Sequence, residues 1–215
     1  MTHLVSLDLE MNQPSGRIIQ IGAAVGCTVK KSVLDTFSVL VDPQEELNPF
    51  IVQLTGVTPE AIAKDGVDLQ TAGQRLFEFI KPYRSFMNPL TWGGADSSEL
   101  RTQLGLDSER WPFGRRWVDV KTIHVAMCLS SGIHPSGGLA KTMKKHYGLD
   151  FEGDSHDAKW DAVNTLRLFF EMQDRYFGSS GKKQVRRVDA VGAGGPGLGA
   201  AEQGGAAGGS RVDGR

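Results

Sequence analysis

Three short runs of apolar and β-branched residues open the chain: Leu4 to Leu9, Ile18 to Val25 and Val33 to Val41. Each reads as a strand, and Thr28-Val29-Lys30-Lys31-Ser32 reads as a hairpin between the second and third. Thr58-Pro59-Glu60 marks a helix start, with a hydroxyl N-cap, proline in the first helical position and a carboxylate near the positive end of the dipole. Leu69, Ala72, Leu76, Phe79 and Ile80 then recur at i, i+3, i+7, i+10 and i+11, the apolar face of an amphipathic helix. Leu90 to Gly93 and Trp117 to Val120 are candidate strands, each leading into a helix-like stretch. Ala158, Ala162, Val163, Leu166, Phe169 and Phe170 make the stripe of a last helix from about His156 to Tyr176. Three strands followed by alternating strand and helix imply an α/β layer fold with a mixed sheet.

Composition divides the 215 residues in two. Residues 178–215 hold twelve of the 27 glycines and few sizeable apolar side chains, too little to offset their ordering entropy, so they read as a disordered tail behind a domain spanning residues 1–177. Six Lys and Arg against three acids give that tail +3, which leaves −4 for the domain out of the overall −1. Such a balance disfavours a protein that grips nucleic acid by bulk positive charge. Cys27 and Cys128 stand far apart with no CxxC and no histidine at metal-ligand spacing, so neither a disulfide framework nor a zinc ribbon is expected. The apolar run Leu4 to Leu9 is interrupted by Asp8 and too short for a signal segment or a membrane span. A soluble, cytoplasmic protein without a membrane partner is expected.

The acids carry the chemistry. Strand periodicity puts Asp8 and Glu10 on one face of the first strand, with Leu7 and Leu9 on the other. Side by side they repel, and burial raises their cost unless a cation neutralises them; an exposed strand end would leave them merely solvated. Asp96 follows Trp92-Gly93-Gly94-Ala95, whose glycines allow close backbone approach to a ligand or another strand; a plain helix N-cap is its other reading. In the segment from Gly153 to Ala162, Asp154 or Ser155 is expected to cap the last helix. That places His156 in its exposed first turn and Asp161 deeper, where a buried acid needs a partner. His156 is otherwise an ordinary surface histidine, the assignment also given to His3, His124, His134 and His146. Four hard oxygen ligands from three segments suit Mg²⁺ or Mn²⁺ rather than zinc. Two such ions about 3.5–4 Å apart serve in-line phosphoryl displacement. An imidazole, with an ordinary pKa of about 6.5, can take the proton of the attacking water.

The ordered set Asp8-x-Glu10, Asp96 and His156-x4-Asp161 resembles the DEDDh group of 3′-5′ exonucleases. The resemblance runs from about Leu4 to Phe170. It takes in Leu54-Thr55-Gly56-Val57-Thr58, Trp117-Val118-Asp119-Val120-Lys121, and a Gly138-Leu139-Ala140 helix start leading to Tyr147-Gly148-Leu149. It implies an RNase H-like fold, a mixed five-stranded sheet flanked by helices. It also implies two Mg²⁺ or Mn²⁺ ions held by Asp8, Glu10, Asp96 and Asp161, with His156 as general base. Met11 and Leu54 would seat the terminal nucleotide, core packing being the other reading of both. The implied reaction releases nucleoside 5′-monophosphates from the 3′ end of single-stranded RNA or DNA.

Trp92-Gly93 before Asp96 looks more like the Eri-type RNA-trimming branch than like proofreading members, which carry Asn and Phe there; RNA is modestly favoured. Ala158 departs from the glycine usual in that branch, and no RNA-binding domain is appended. A proofreading-type DNA exonuclease, a non-catalytic nucleic-acid-binding module and a regulator acting through the tail are the alternatives. Lys141, Lys144, Lys145 and His146 on one helix, and Arg110, Arg115 and Arg116 on a loop, are read as solvated charge rather than a strand-binding stripe.

Overall fold

In the computed structural model, which describes residues 3–177, β1 (His3–Met11), β2 (Ile18–Cys27) and β3 (Ser32–Leu40) form an antiparallel meander. The tail at 178–215 lies outside the described residues. β1 also pairs in parallel with β4 (Leu90–Thr91), which pairs in parallel with β5 (Val118–Asp119). The resulting order β3-β2-β1-β4-β5 is the expected mixed five-stranded sheet, with β1 at its centre. β4 and β5 are shorter than the sequence suggests. Gly93 turns the chain away at φ 122°, a conformation that needs glycine, and Val120 already begins a helix.

The helices are α1 (Pro49–Thr55), α2 (Pro59–Asp65), α3 (Leu69–Ile80), α4 (Asp96–Leu104), α5 (Val120–Ser130), α6 (Leu139–Thr142) and α7 (Ala158–Met172). Single π-turns extend α6 over Met143–Tyr147 and α7 over Gln173–Phe177. α2 starts as read, the Thr58 hydroxyl accepting from the Ala61 N–H at 3.1 Å. Ala72, Leu76 and Ile80 of α3 are buried, with Leu69 and Phe79 half-buried beside them.

Strand alternation splits the core into two layers. Val5, Leu7 and Leu9 of β1, with Ile21, Ala23 and Val25 of β2, pack under α3 and α4. Leu4, Ala24 and Leu90 join Ala162, Val163, Leu166 and Phe170 of α7 and Val120 of α5 on the other face. Asp8 and Glu10 share that second face by periodicity, while their neighbours Leu7 and Leu9 are buried in the first layer. Among the described residues no helix is long and apolar enough to cross a membrane.

Two assignments are corrected. His124 is fully buried and His146 half-buried, because α5 and the 143–147 turn pack their inner sides together; neither is a surface histidine. The alternative of a strand-binding stripe over Lys141, Lys144, Lys145 and His146 is interrupted at His146, and the three lysines are exposed, in keeping with their reading as solvated charge. His146 faces inward onto Ser136 (2.9 Å), and Lys144 pairs with Asp150. Arg110 pairs with Asp107 at 3.1 Å, so it is also engaged locally.

Candidate active site

α7 reaches the acidic end of β1 because β2 lets it come close. Gly22, the partner of Asp8 across the ladder, has the start of α7 lying directly on it: a Cβ there would stand 2.0 Å from the Ala158 carbonyl carbon. Gln20, paired with Glu10, is buried; its Oε1 accepts from the Ala158 N–H at 3.2 Å and its Nε2 donates to the Asp157 carboxylate at 3.4 Å. Asp157 itself caps α7, accepting from the N–H groups of Lys159 (3.0 Å) and Trp160 (3.3 Å). Neither Asp154 nor Ser155 is the cap, then, and α7 begins two residues later than expected. His156 stands outside the helix, exposed, with φ 65° in the left-handed region. A non-glycine residue held there costs roughly 1–3 kcal/mol, and such strain clusters at functional sites.

This displacement carries the imidazole to the acids. Ligand-capable atoms of Glu10, His156 and Asp161 all lie within 4.8 Å of one another. The His156 N–H also donates to the Asp161 carboxylate. Asp96 is buried as the first residue of α4, and the Leu9 N–H donates to its carboxylate. It is not an N-cap: Ala95 holds that position, without a side-chain bond. The approach to Asp96 is shaped by Asp119, whose Oδ1 accepts from the N–H groups of Gly93 (3.2 Å) and Thr122 (3.1 Å).

Burial, above all, raises the pKa of every member of this carboxylate set, and mutual repulsion adds to it. Glu10 is pushed to about 8 by burial and by Asp161, Asp157 and Asp96. Asp8 is raised well above the usual carboxylate range by burial and by the charges of Asp96, Asp161 and Glu10. Burial lifts Asp96 and Asp161 to about 6 each. Among the described residues, the charge that lowers a pKa in this set is that of His156, acting on Asp161. In addition, Asp161 Oδ1 is buried without a hydrogen-bond partner among the described residues. An orphaned acceptor in a cluster of hard, mutually repelling oxygens fits divalent cations such as Mg²⁺ or Mn²⁺.

The structure thus brings together Asp8, Glu10, Asp96, Asp161 and His156. Met11 ends β1 and packs partly against the layer under α3. Leu54 is 38% exposed on α1, one turn from Phe50 at 64%. Asn12 ties the end of β1 to α1, its Oδ1 accepting from the Asn48 N–H at 2.8 Å. Gln20, Gly22 and Asp157 are the supporting residues that motif reading passes over. A lone glutamine within Ile18-Ile19-Gln20-Ile21 was the one available signal.

Residues 5–89 match the model of the RNase T exonuclease family. No curated protein sequence matches the chain. Among solved structures, a full-length 3′-exonuclease superposes with a TM-score of 0.68 at 20% identity over 80% of this chain, which spans only 60% of that protein's length. The nuclease domain of 3'hExo, a DEDDh family member bound to rAMP, gives 0.66 at 17% identity, covering 82% of this chain and 94% of that one. E. coli exonuclease I in complex with a dA16 oligonucleotide gives 0.64 at 16% identity, covering 82% of this chain and 42% of that one. At these identities the superpositions establish the shared fold. The family match runs from β1 to the approach of β4, less than half of the chain, and the fold it shares with these 3′-exonuclease structures extends over the rest of the described residues.

Proposed function

We infer that the chain hydrolyses phosphodiester bonds from the 3′ end of single-stranded nucleic acid, releasing nucleoside 5′-monophosphates. The observation that carries this reading is the convergence of four carboxylates from β1, α4 and α7 with His156 at their edge, around the unsatisfied Asp161 Oδ1. Asp8, Glu10, Asp96 and Asp161 would hold two Mg²⁺ or Mn²⁺ ions. When bound, such ions supply charge stabilisation for the attacking and leaving oxygens of an in-line displacement. His156, exposed and close to Glu10 and Asp161, accepts the proton of the attacking water and returns it to solvent. Its backbone N–H, bonded to Asp161, orients that carboxylate. Met11 and the exposed apolar side of α1 at Leu54 receive the terminal nucleotide, offering a base an apolar surface without a hydrogen-bond code.

RNA is the favoured substrate, on the strength of the Trp92-Gly93 turn before Asp96. Relatives of the same fold bound to rAMP and to dA16 support RNA and DNA respectively. The test is to offer 5′-labelled single-stranded RNA and DNA of one sequence to purified protein with Mg²⁺ or Mn²⁺. A ladder shortening from the 3′ end is expected, faster on RNA. No shortening of either strand would overturn the nuclease reading, and faster shortening of DNA would reverse the substrate assignment.

A further inference from the structure

A second group of ligand-type side chains lies apart from the carboxylates. His124 and Cys128 sit one turn apart on α5, and His146 faces them from the 143–147 turn; ligand atoms of all three lie within 4.8 Å of one another. The Cys128 Sγ is 3.5 Å from His124 Nε2 and 3.9 Å from His146 Nδ1. Two ligands on one tetrahedral zinc ion, at metal–sulfur and metal–nitrogen lengths of about 2.3 and 2.0–2.1 Å, stand about 3.6 Å apart. The expectation that no histidine lies at metal-ligand spacing from Cys128 is therefore corrected. His124 is its i−4 neighbour, and folding supplies the third ligand from eighteen residues away.

The outward nitrogens make this more than proximity. His124 Nδ1 is 3.1 Å from the Tyr147 hydroxyl and 3.7 Å from the Cys128 sulfur, slightly farther than Nε2 at 3.5 Å, and His146 Nε2 is 2.9 Å from the Ser136 hydroxyl while its Nδ1 is the nitrogen near the sulfur. Each ring thus has one nitrogen held by a hydroxyl and the other left free to donate a lone pair, the kind of support that fixes tautomer and orientation in metal-binding histidines. His124 and Cys128 are buried and His146 half-buried, so entry is from the His146 side. Burial lowers both imidazole pKa values, favouring the neutral form that donates a lone pair.

We propose that His124, Cys128 and His146 form a binding site for one Zn²⁺-like ion, with a fourth position left for water, that cross-links α5 to the 143–147 turn. On binding, the Cys128 thiol becomes a thiolate and its single proton passes to solvent; the imidazoles, already neutral, release none. The soft sulfur separates this site from the all-oxygen set, which favours Mg²⁺ or Mn²⁺.

The test uses Co²⁺ as a spectroscopic probe and then Zn²⁺. The full chain is stripped with a chelator, returned to excess Mg²⁺ and a non-thiol reductant, and titrated with Co²⁺. One equivalent is expected to raise a thiolate-to-cobalt charge-transfer band in the near ultraviolet, and Zn²⁺ is expected to displace it. The band should persist in Cys27→Ser and vanish in Cys128→Ser, and His146→Ala should weaken Co²⁺ binding at least tenfold. Absence of the band in the parent overturns the proposal, as does its survival in a folded Cys128→Ser protein. Should Cys128→Ser fail to fold, unchanged affinity in His146→Ala overturns it instead. The band reports the sulfur alone, so it decides this site whether or not the carboxylates support turnover.

Discussion

Asp161 has a buried oxygen that no group among the described residues satisfies, and Asp8 feels the charges of four other acids, so both residues are destabilising in the absence of a counter-charge. A bound cation would supply that counter-charge. Asp8→Asn should bring hydrolysis below detection, because a neutral amide binds a hard cation poorly. The same variant should melt at a higher temperature than the parent without metal near pH 8, as repulsion is relieved. Preserved hydrolysis in Asp8→Asn would remove the cluster from the mechanism. His156 answers a separate question. If it moves the proton of the attacking water, His156→Ala keeps divalent-metal and single-strand binding but turns over about 10²–10⁴-fold more slowly, the usual loss for a positioned acid or base. A near-parent rate, measured at saturating substrate, would reduce His156 to a surface residue or a metal ligand.

At the scale of elements, the site depends on how closely α7 lies on β2. Gly22→Ala would place a methyl 2.0 Å from the Ala158 carbonyl carbon, and backbone cannot give way as a flexible side-chain tip can. Overpacking of this kind costs about 1–3 kcal/mol or more. Because the shift falls at the start of α7, it should move His156 and Asp161 away from Glu10. The expected outcome is a lowered Tm together with a fall in kcat larger than any rise in KM. A Gly22→Ala protein with parent kinetics would show that the helix start does not set the reacting geometry.

For the whole molecule, the raised carboxylate pKa values translate into a pH-dependent stability. The folded state binds these protons more tightly than the unfolded chain, whose carboxylates titrate near 4, so the contribution of these four acids to metal-free stability is greatest below that value. It declines as pH rises from about 4 toward the folded values, about 6 for Asp96 and Asp161 and about 8 for Glu10. Mg²⁺ or Mn²⁺ should therefore raise Tm clearly at pH 8 and hardly at pH 4, each kcal/mol of relief corresponding to about 2–4 °C. Equal metal effects at both pH values in thermal melts would contradict this account. The net +3 of residues 178–215 predicts an effect on the same scale. Its deletion should leave the maximal rate intact and weaken substrate binding only at low salt, as expected of sequence-independent phosphate attraction. A large loss of maximal rate would make it part of the active site.

The sequence by itself determined the strands of the meander, the Thr58 cap, the face of α3 and the pairing of Asp8 with Glu10 on the side opposite Leu7 and Leu9. All of these rest on periodicity and capping, which act over a few residues. The ordered acids also made Asp96, His156 and Asp161 candidates before any geometry was known. Only the tertiary structure decided which of Asp154, Ser155 and Asp157 caps α7, because Gln20 on a neighbouring strand holds both Asp157 and the Ala158 N–H. It likewise put His156 into a left-handed turn beside Glu10, and buried His124 against Cys128 and His146. Such arrangements depend on contacts between segments far apart in the chain. No local pattern encodes the distance at which two elements come to rest.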